Sequence, residues 1–156
     1  MKKKTVYRAF LWGLTVGIAG MIFWLSHQTA EQSSALSGGV TEGLLSSLFA
    51  FLKLNEVQQA VWHAGVRAAA HVATFWLLGI STSLLTRSYA LRRWVLITVL
   101  SCGGYALFDE CHQQWFAAGR TFQIEDIAKD SMGVLLGIAV VALCAALRNR
   151  KQRKGT

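Results

Sequence analysis

The chain has 156 residues, 53% of them hydrophobic and 15% charged, with a formal net charge of +8. That length allows one soluble domain, but the apolar residues are gathered into long uncharged runs, which favours a membrane protein. The three cysteines are Cys102, Cys111 and Cys144. Odd in number and with no C-x-x-C pair among them, they suggest neither a disulfide framework nor a zinc site, and they read as packing residues.

In chain order, Lys2, Lys3, Lys4 and Arg8 precede a first uncharged run from Ala9 to Leu25. A basic start before an apolar run also suits a signal peptide. No small-x-small cleavage pattern follows, so a retained helix is expected. Ser26 to Val66 reads as a long outer loop, rich in Ser and Gly at first through Ser33, Ser34, Ser37, Gly38 and Gly39. It becomes amphipathic from Leu44 to Trp62, where Leu44, Leu45, Leu48, Phe49, Leu52 and Leu54 recur. This segment suits one or two helices, either lying in the interface plane or packed across the mouth of a bundle.

Ala68 to Thr86 is a second uncharged run, broken only by His71. Trp94 to Phe108 is a third, short enough to continue into Asp109–Gln113, and Ser131 to Leu147 is a fourth. A helix that crosses the hydrocarbon core needs roughly 20 residues. The expected fold is an all-α membrane protein, a single domain over 1–156 with about four transmembrane helices and a long outer loop carrying the amphipathic segment. A soluble all-helical bundle is the rival. Gly13/Gly17 and Gly133/Gly137 are spaced for close helix contact.

Of the 16 basic residues, all but Lys53, Arg67, Arg120 and Lys129 lie in three stretches: Lys2–Arg8, Arg87–Arg93 and the tail over 148–156. With an even number of spans these stretches share one side, which the positive-inside rule assigns to the cytoplasm. The basic tail is then a topology anchor near anionic lipid, and nucleic-acid binding is excluded as the source of the charge. All eight acidic residues and all four histidines fall on the opposite side, so polar chemistry is expected to face outward.

The richest stretch is Asp109-Glu110-Cys111-His112-Gln113, followed by Gly119-Arg120, Asp126 and Asp130. On a helix Asp109 shares a face with His112 and Gln113, while Glu110 points elsewhere. Asp126 and Asp130 lie at the start of the last helix, where its positive end favours carboxylates. Arg67 and His71 are four apart at the expected outer start of the second span. Ionisable groups at a membrane edge are costly unless they pair or meet water. Arg67 and Arg120 are therefore expected to oppose Asp109, Glu110, Asp126 and Asp130 in a polar pocket. The plainer alternative is a salt-bridged clamp between helix ends. Histidine with carboxylates suits acid–base chemistry, and arginines suit phosphate. His71, His112 and the carboxylates are also a candidate set for a divalent metal. They lack the two-histidine spacing of zinc proteases, so no metal or other cofactor is assigned.

These residues resemble the VanZ family, bacterial membrane proteins named after a teicoplanin-resistance accessory protein. The resemblance rests on Asp109-Glu110-x-His112-Gln113, Gly119-Arg120, Asp126, Asp130 and Gly133, on Arg67-x-x-x-His71, and on the Ser-rich patch from Ser26 to Ser37. It spans about 23–137. The chain departs from the family at Ala68, where a basic residue is frequent, at Thr74-Phe75, where Glu-Tyr is frequent, at Ala118 for Pro and at Asp130 for Asn. The first two argue against a mechanism that needs a carboxylate near His71, and Asp130 is expected to need Arg67 or Arg120 as partner.

The resemblance implies a multi-pass protein of the bacterial cytoplasmic (inner) membrane with a role at the cell envelope. The leading functional reading is binding of an outer-leaflet anionic lipid or lipid-linked cell-wall precursor, with lowered teicoplanin susceptibility as the consequence. Its ligand-binding residues are Arg67, His71, Asp109, Glu110, His112, Gln113, Arg120, Asp126 and Asp130. A second reading is a membrane hydrolase or transferase with His71 or His112 as acid/base and Asp109 as orienting partner. A third is an accessory subunit that docks another membrane protein.

Overall fold

The computed structural model describes residues 2–52 and 55–154, without the side chains of residues 37, 41, 42, 44–50, 52, 153 and 154. Five helices follow in order: α1 (Lys2–Ser26), α2 (Ala30–Leu52), α3 (Glu56–Ser88), α4 (Trp94–Phe116) and α5 (Ile124–Lys154). No strand occurs among the described residues. α1, α3, α4 and α5 are long and apolar enough to cross a membrane. Only 17% of the most apolar window of α1 is buried within the protein. Phe10, Val16, Trp24, Leu100, Leu135 and Leu143 are all exposed. Helices this apolar and this bare on their outer faces fit hydrocarbon, not water.

The long outer loop is replaced by helix. Thr29 caps α2, its Oγ1 accepting from Gln32 N at 3.2 Å while Gln32 Oε1 accepts from Thr29 N at 3.1 Å. Asn55 caps α3 in the same reciprocal way with Gln58, at 2.9 and 3.0 Å. Each box satisfies two of the backbone N–H groups that a helix start leaves open. α3 thus begins at Glu56, and Arg67 lies inside the helix, not at its start. The expected amphipathic stretch divides between the end of α2 and the start of α3. Lys53 and Leu54 lie outside the described residues, as do the side chains of Ser37, Leu44, Leu45, Leu48, Phe49 and Leu52. The same holds for the tip of the basic tail, residues 155 and 156.

Hydrogen bonds sort the two ends of the bundle. At one end the Arg8 guanidinium donates to Ser88 O, at 2.8 Å from Nη2, and stacks 4.3 Å from the centre of the Tyr89 ring. Trp12 Nε1 donates to Tyr89 Oη at 3.1 Å. The α1 start and the α3–α4 turn, both basic, are thereby joined. At the other end Ala30 N donates to Ala118 O at 3.0 Å, tying the α1–α2 connection to the α4–α5 connection. Gly119 turns there with φ of 77°, and a Cβ on it would meet Ala30 Cβ at 3.2 Å. Both a left-handed backbone and close approach make glycine the fitting residue.

The core between the ends is built from Ile22, Phe75, Leu78, Cys102, Ala106, Val134 and Ile138. α3 and α5 run parallel through it in close contact. A Cβ on Gly133 would press on Val72 O and meet Trp76 N at 2.9 Å. One on Gly137 would lie 2.7 Å from Trp76 O, and one on Gly79 would lie 2.8 Å from Val134 O. Here the small residues let two backbones touch, which is how helices associate where lipid removes the hydrophobic drive. Among the described residues a Cβ on Gly13 or Gly17 meets nothing within 4 Å, so their spacing marks no close helix contact there.

Gly133→Ala is expected to destabilise the detergent-solubilised protein by about 1–3 kcal/mol, the usual cost of overpacking. Gly13→Ala should stay within about 0.5 kcal/mol of the parent, as a change that touches nothing. Equal melting temperatures for the two variants would show that the α3–α5 contact is not tight.

Candidate functional site

At the end opposite the basic turn, α4 is surrounded by α1, α3 and α5. That surrounding buries side chains on more than one face of α4. Asp109, Glu110, His112 and Gln113 are all buried. Asp109 faces α1: its Oδ2 accepts from Ser26 Oγ at 2.9 Å and from Gln113 Nε2 at 2.8 Å. Glu110 takes partners apart from those of Asp109, as its helical phase suggests, but it is not exposed. It is fully buried and its Oε2 accepts from Gln123 N at 3.0 Å, closing the α4–α5 connection over it.

Asp126 and Asp130 enter from the first turns of α5 and meet α3. His71 Nδ1 lies 3.1 Å from Asp130 Oδ1, and His71 Nε2 lies 3.8 Å from Asp126 Oδ2. Lys129 also pairs with Asp126. His71 therefore has two carboxylates beside it despite Thr74-Phe75, because α5 supplies what α3 lacks. The partner of Asp130 is His71, not an arginine.

The arginines behave differently from the expected pairing. Neither Arg67 nor Arg120 forms an ion pair with a carboxylate among the described residues. Arg120 Nη2 donates to Ser33 Oγ of α2 at 3.4 Å, and its Nε is buried without a partner among the described residues. Burial and the nearby Arg67 push the Arg120 guanidinium pKa down, against the pull of Glu110, Asp109 and Asp126. Both arginines instead line a half-open cavity of about 280 Å³, walled mainly by α1, α2 and α3. His71, Asp109, Ser26, Gln28 and Ser33 add polar groups to its wall, and Ile22, Leu25, Leu36, Val40, Val66 and Phe75 make the rest apolar.

His112 is outside this cavity. It sits in an aromatic nest, with ring centroids 4.4 Å from Phe23, 5.2 Å from Phe116 and 6.1 Å from Phe108. Its Nε2 faces His27 Nδ1 at 3.4 Å. Asp109 does not hydrogen-bond to it among the described residues; its Oδ2 accepts from Ser26 and Gln113 instead. The bundle thus brings Arg67, His71, Asp109 and Arg120 to one cavity, with Asp126 and Asp130 behind His71 and Glu110 behind Asp109. His112 lies to one side. Ser26, Gln28 and Ser33 belong to the site as cavity wall. The Ser-rich patch was the signal for the two serines, and nothing in the pattern singled out Gln28.

A multi-span helical protein with arginines, a histidine and buried carboxylates at one end of its bundle is the class that these features define. A family model described as VanZ/LLP1 matches residues 11–145, beyond both limits of the stretch that carries the motifs. The chain belongs to the VanZ-like family. Comparison with curated proteins and with solved structures returned no match.

Proposed function

We propose that this VanZ-like protein binds the anionic headgroup of an outer-leaflet lipid, or of a lipid-linked cell-wall precursor, in the cavity between α1, α2 and α3. The observation that carries this reading is the state of Arg67 and Arg120. Two guanidiniums share a cavity wall without an ion pair to any carboxylate among the described residues. Unpaired charge at a membrane edge is costly, and an anion relieves it. A guanidinium grips phosphate through a fork of two hydrogen bonds. The apolar remainder of the wall suits the first carbons of a lipid tail. Lowered teicoplanin susceptibility follows if the bound molecule is a cell-wall precursor.

The sidedness belongs to this proposal. Basic residues of the α1 start, the α3–α4 turn and the α5 end gather at one end of the bundle, which the positive-inside rule puts in the cytoplasm of a bacterial inner membrane. The cavity then opens toward the outer leaflet. Single cysteines at Ser34 and Gln123, in a background free of native cysteine, should react with an impermeant thiol reagent in intact cells, and one at Tyr89 should not. Labelling at Tyr89 alone would invert the protein and place the cavity inside.

His71 favours a second reading as a hydrolase or transferase, because it lines the cavity while Asp130 holds its Nδ1. In that case His71 is the acid/base and Asp130 orients it. An accessory role, docking another membrane protein, would show as a stoichiometric partner on purification.

The binding reading is tested with Arg120→Lys, which keeps the charge and loses the fork. Phosphatidylglycerol and a polyprenyl phosphate serve as probes, with phosphatidylcholine as the zwitterionic control. Affinity for the anionic probes should fall about tenfold or more, the scale of one charged hydrogen bond. Melting temperature and membrane abundance should hold. If all three fall together, Arg120 is a structural clamp. Turnover of either probe by the parent, lost in His71→Gln, would favour the enzyme.

A further inference from the structure

Behind the cavity, the buried carboxylates present a pattern that anion binding does not use. Asp109, Glu110 and Asp130 are 1%, 0% and 0% exposed. Each offers a carboxylate oxygen, and these oxygens lie within 4.8 Å of one another. All three are held in the same manner, by one oxygen only. Ser26 and Gln113 hold Asp109 Oδ2, Gln123 N holds Glu110 Oε2 and His71 holds Asp130 Oδ1. The other oxygen of each is buried with no partner among the described residues: Asp109 Oδ1, Glu110 Oε1 and Asp130 Oδ2.

Three buried acceptors left open in so small a volume are expensive, since each forgoes water without gaining a donor. Lysine and arginine form no ion pair with any of the three among the described residues; Lys129 is taken by Asp126. Carboxylates each fixed through one oxygen, Asp109 and Glu110 by neutral donors and Asp130 by His71, with the other oxygen free, are arranged as metal ligands are, the outer donors setting their orientation.

We infer that Asp109, Glu110 and Asp130 form a binding site for a hard divalent cation between α4 and α5. The donor set is oxygen only, which selects the magnesium, calcium and manganese class over zinc or copper. Oxygens around one calcium ion, at 2.3–2.6 Å from it, are never more than about 5.2 Å apart, so the observed grouping fits a shared ion with little movement. Three carboxylates cannot complete the shell of such an ion, and water fills the remaining positions. Asp109 belongs to both the cluster and the cavity wall, so the ion joins α4 to α5 beside the cavity. The site stands independently of the proposed lipid binding, because it needs neither arginine.

The test uses the full chain purified in detergent without chelator. Elemental analysis should find about one divalent ion per chain. EDTA should lower the melting temperature, and calcium, magnesium or manganese should restore it. Manganese titration followed by electron paramagnetic resonance should saturate, and Asp130→Asn and Glu110→Gln should each weaken binding by about tenfold or more. Exposed Glu125 gives the control, and Glu125→Gln should bind as the parent does. If a variant fails to accumulate, the parent's metal content and EDTA response decide alone. No retained ion together with no response to EDTA or added metal would overturn the site and leave protons as what neutralises the cluster. Binding that persists in both carboxamide variants, or that Glu125→Gln removes equally, would overturn it too.

Discussion

The constraint on which the polar end of this bundle depends is the cost of burying charge where neither water nor a matched counter-charge is at hand. Asp109, Glu110, Asp126 and Asp130 are all buried there. The protein meets that cost unevenly. Asp130 and Asp126 receive His71, and Asp126 also receives Lys129. Asp109 and Glu110 receive only neutral donors. Meanwhile the two arginines share a cavity wall with Asp109 but form no ion pair with any of the acids among the described residues. A clamp built for stability would pair these charges with each other, and their separation is what the proposed binding site rests on.

The rest of the fold serves to hold that separation. The α3–α5 contact through Gly79, Gly133 and Gly137 fixes His71 against Asp126 and Asp130. Tyr105 Oη donates to Ala19 O at 2.6 Å and so ties α4 to α1 just beneath Asp109 and Ser26. The turn at Gly119 delivers Arg120 toward α2, where Ser33 receives it. α2 in turn closes the cavity with Ser33, Leu36 and Val40. Without α2 the arginines would face open lipid or water.

Much of this was legible in the sequence, and the failures have physical causes. The apolar runs located all four helices that are long and apolar enough to span, because a membrane span is mainly a matter of length and absence of charge. The stretch after α1 read as a loop because Ser and Gly are poor helix formers. Thr29-x-x-Gln32 and Asn55-x-x-Gln58 are capping boxes in plain view, and they outweigh that propensity by supplying the backbone partners of two helix starts. Helical phase put Glu110 on a different face from Asp109 but did not show that this face is buried too, since α4 has neighbours on several sides. His112 was grouped with Asp109 because residues three apart share a face. Its ring instead packs among Phe23, Phe108 and Phe116, an arrangement that helix spacing does not encode.

The most direct measurement is an experimental structure of the protein taken from native membranes with its lipids retained. The account predicts density for an anionic headgroup within hydrogen-bond distance of Arg67 and Arg120, with its tail along Leu36 and Val40. Arg67 and Arg120 paired instead with Asp109, Glu110, Asp126 or Asp130, in a closed cavity without a ligand, would contradict it.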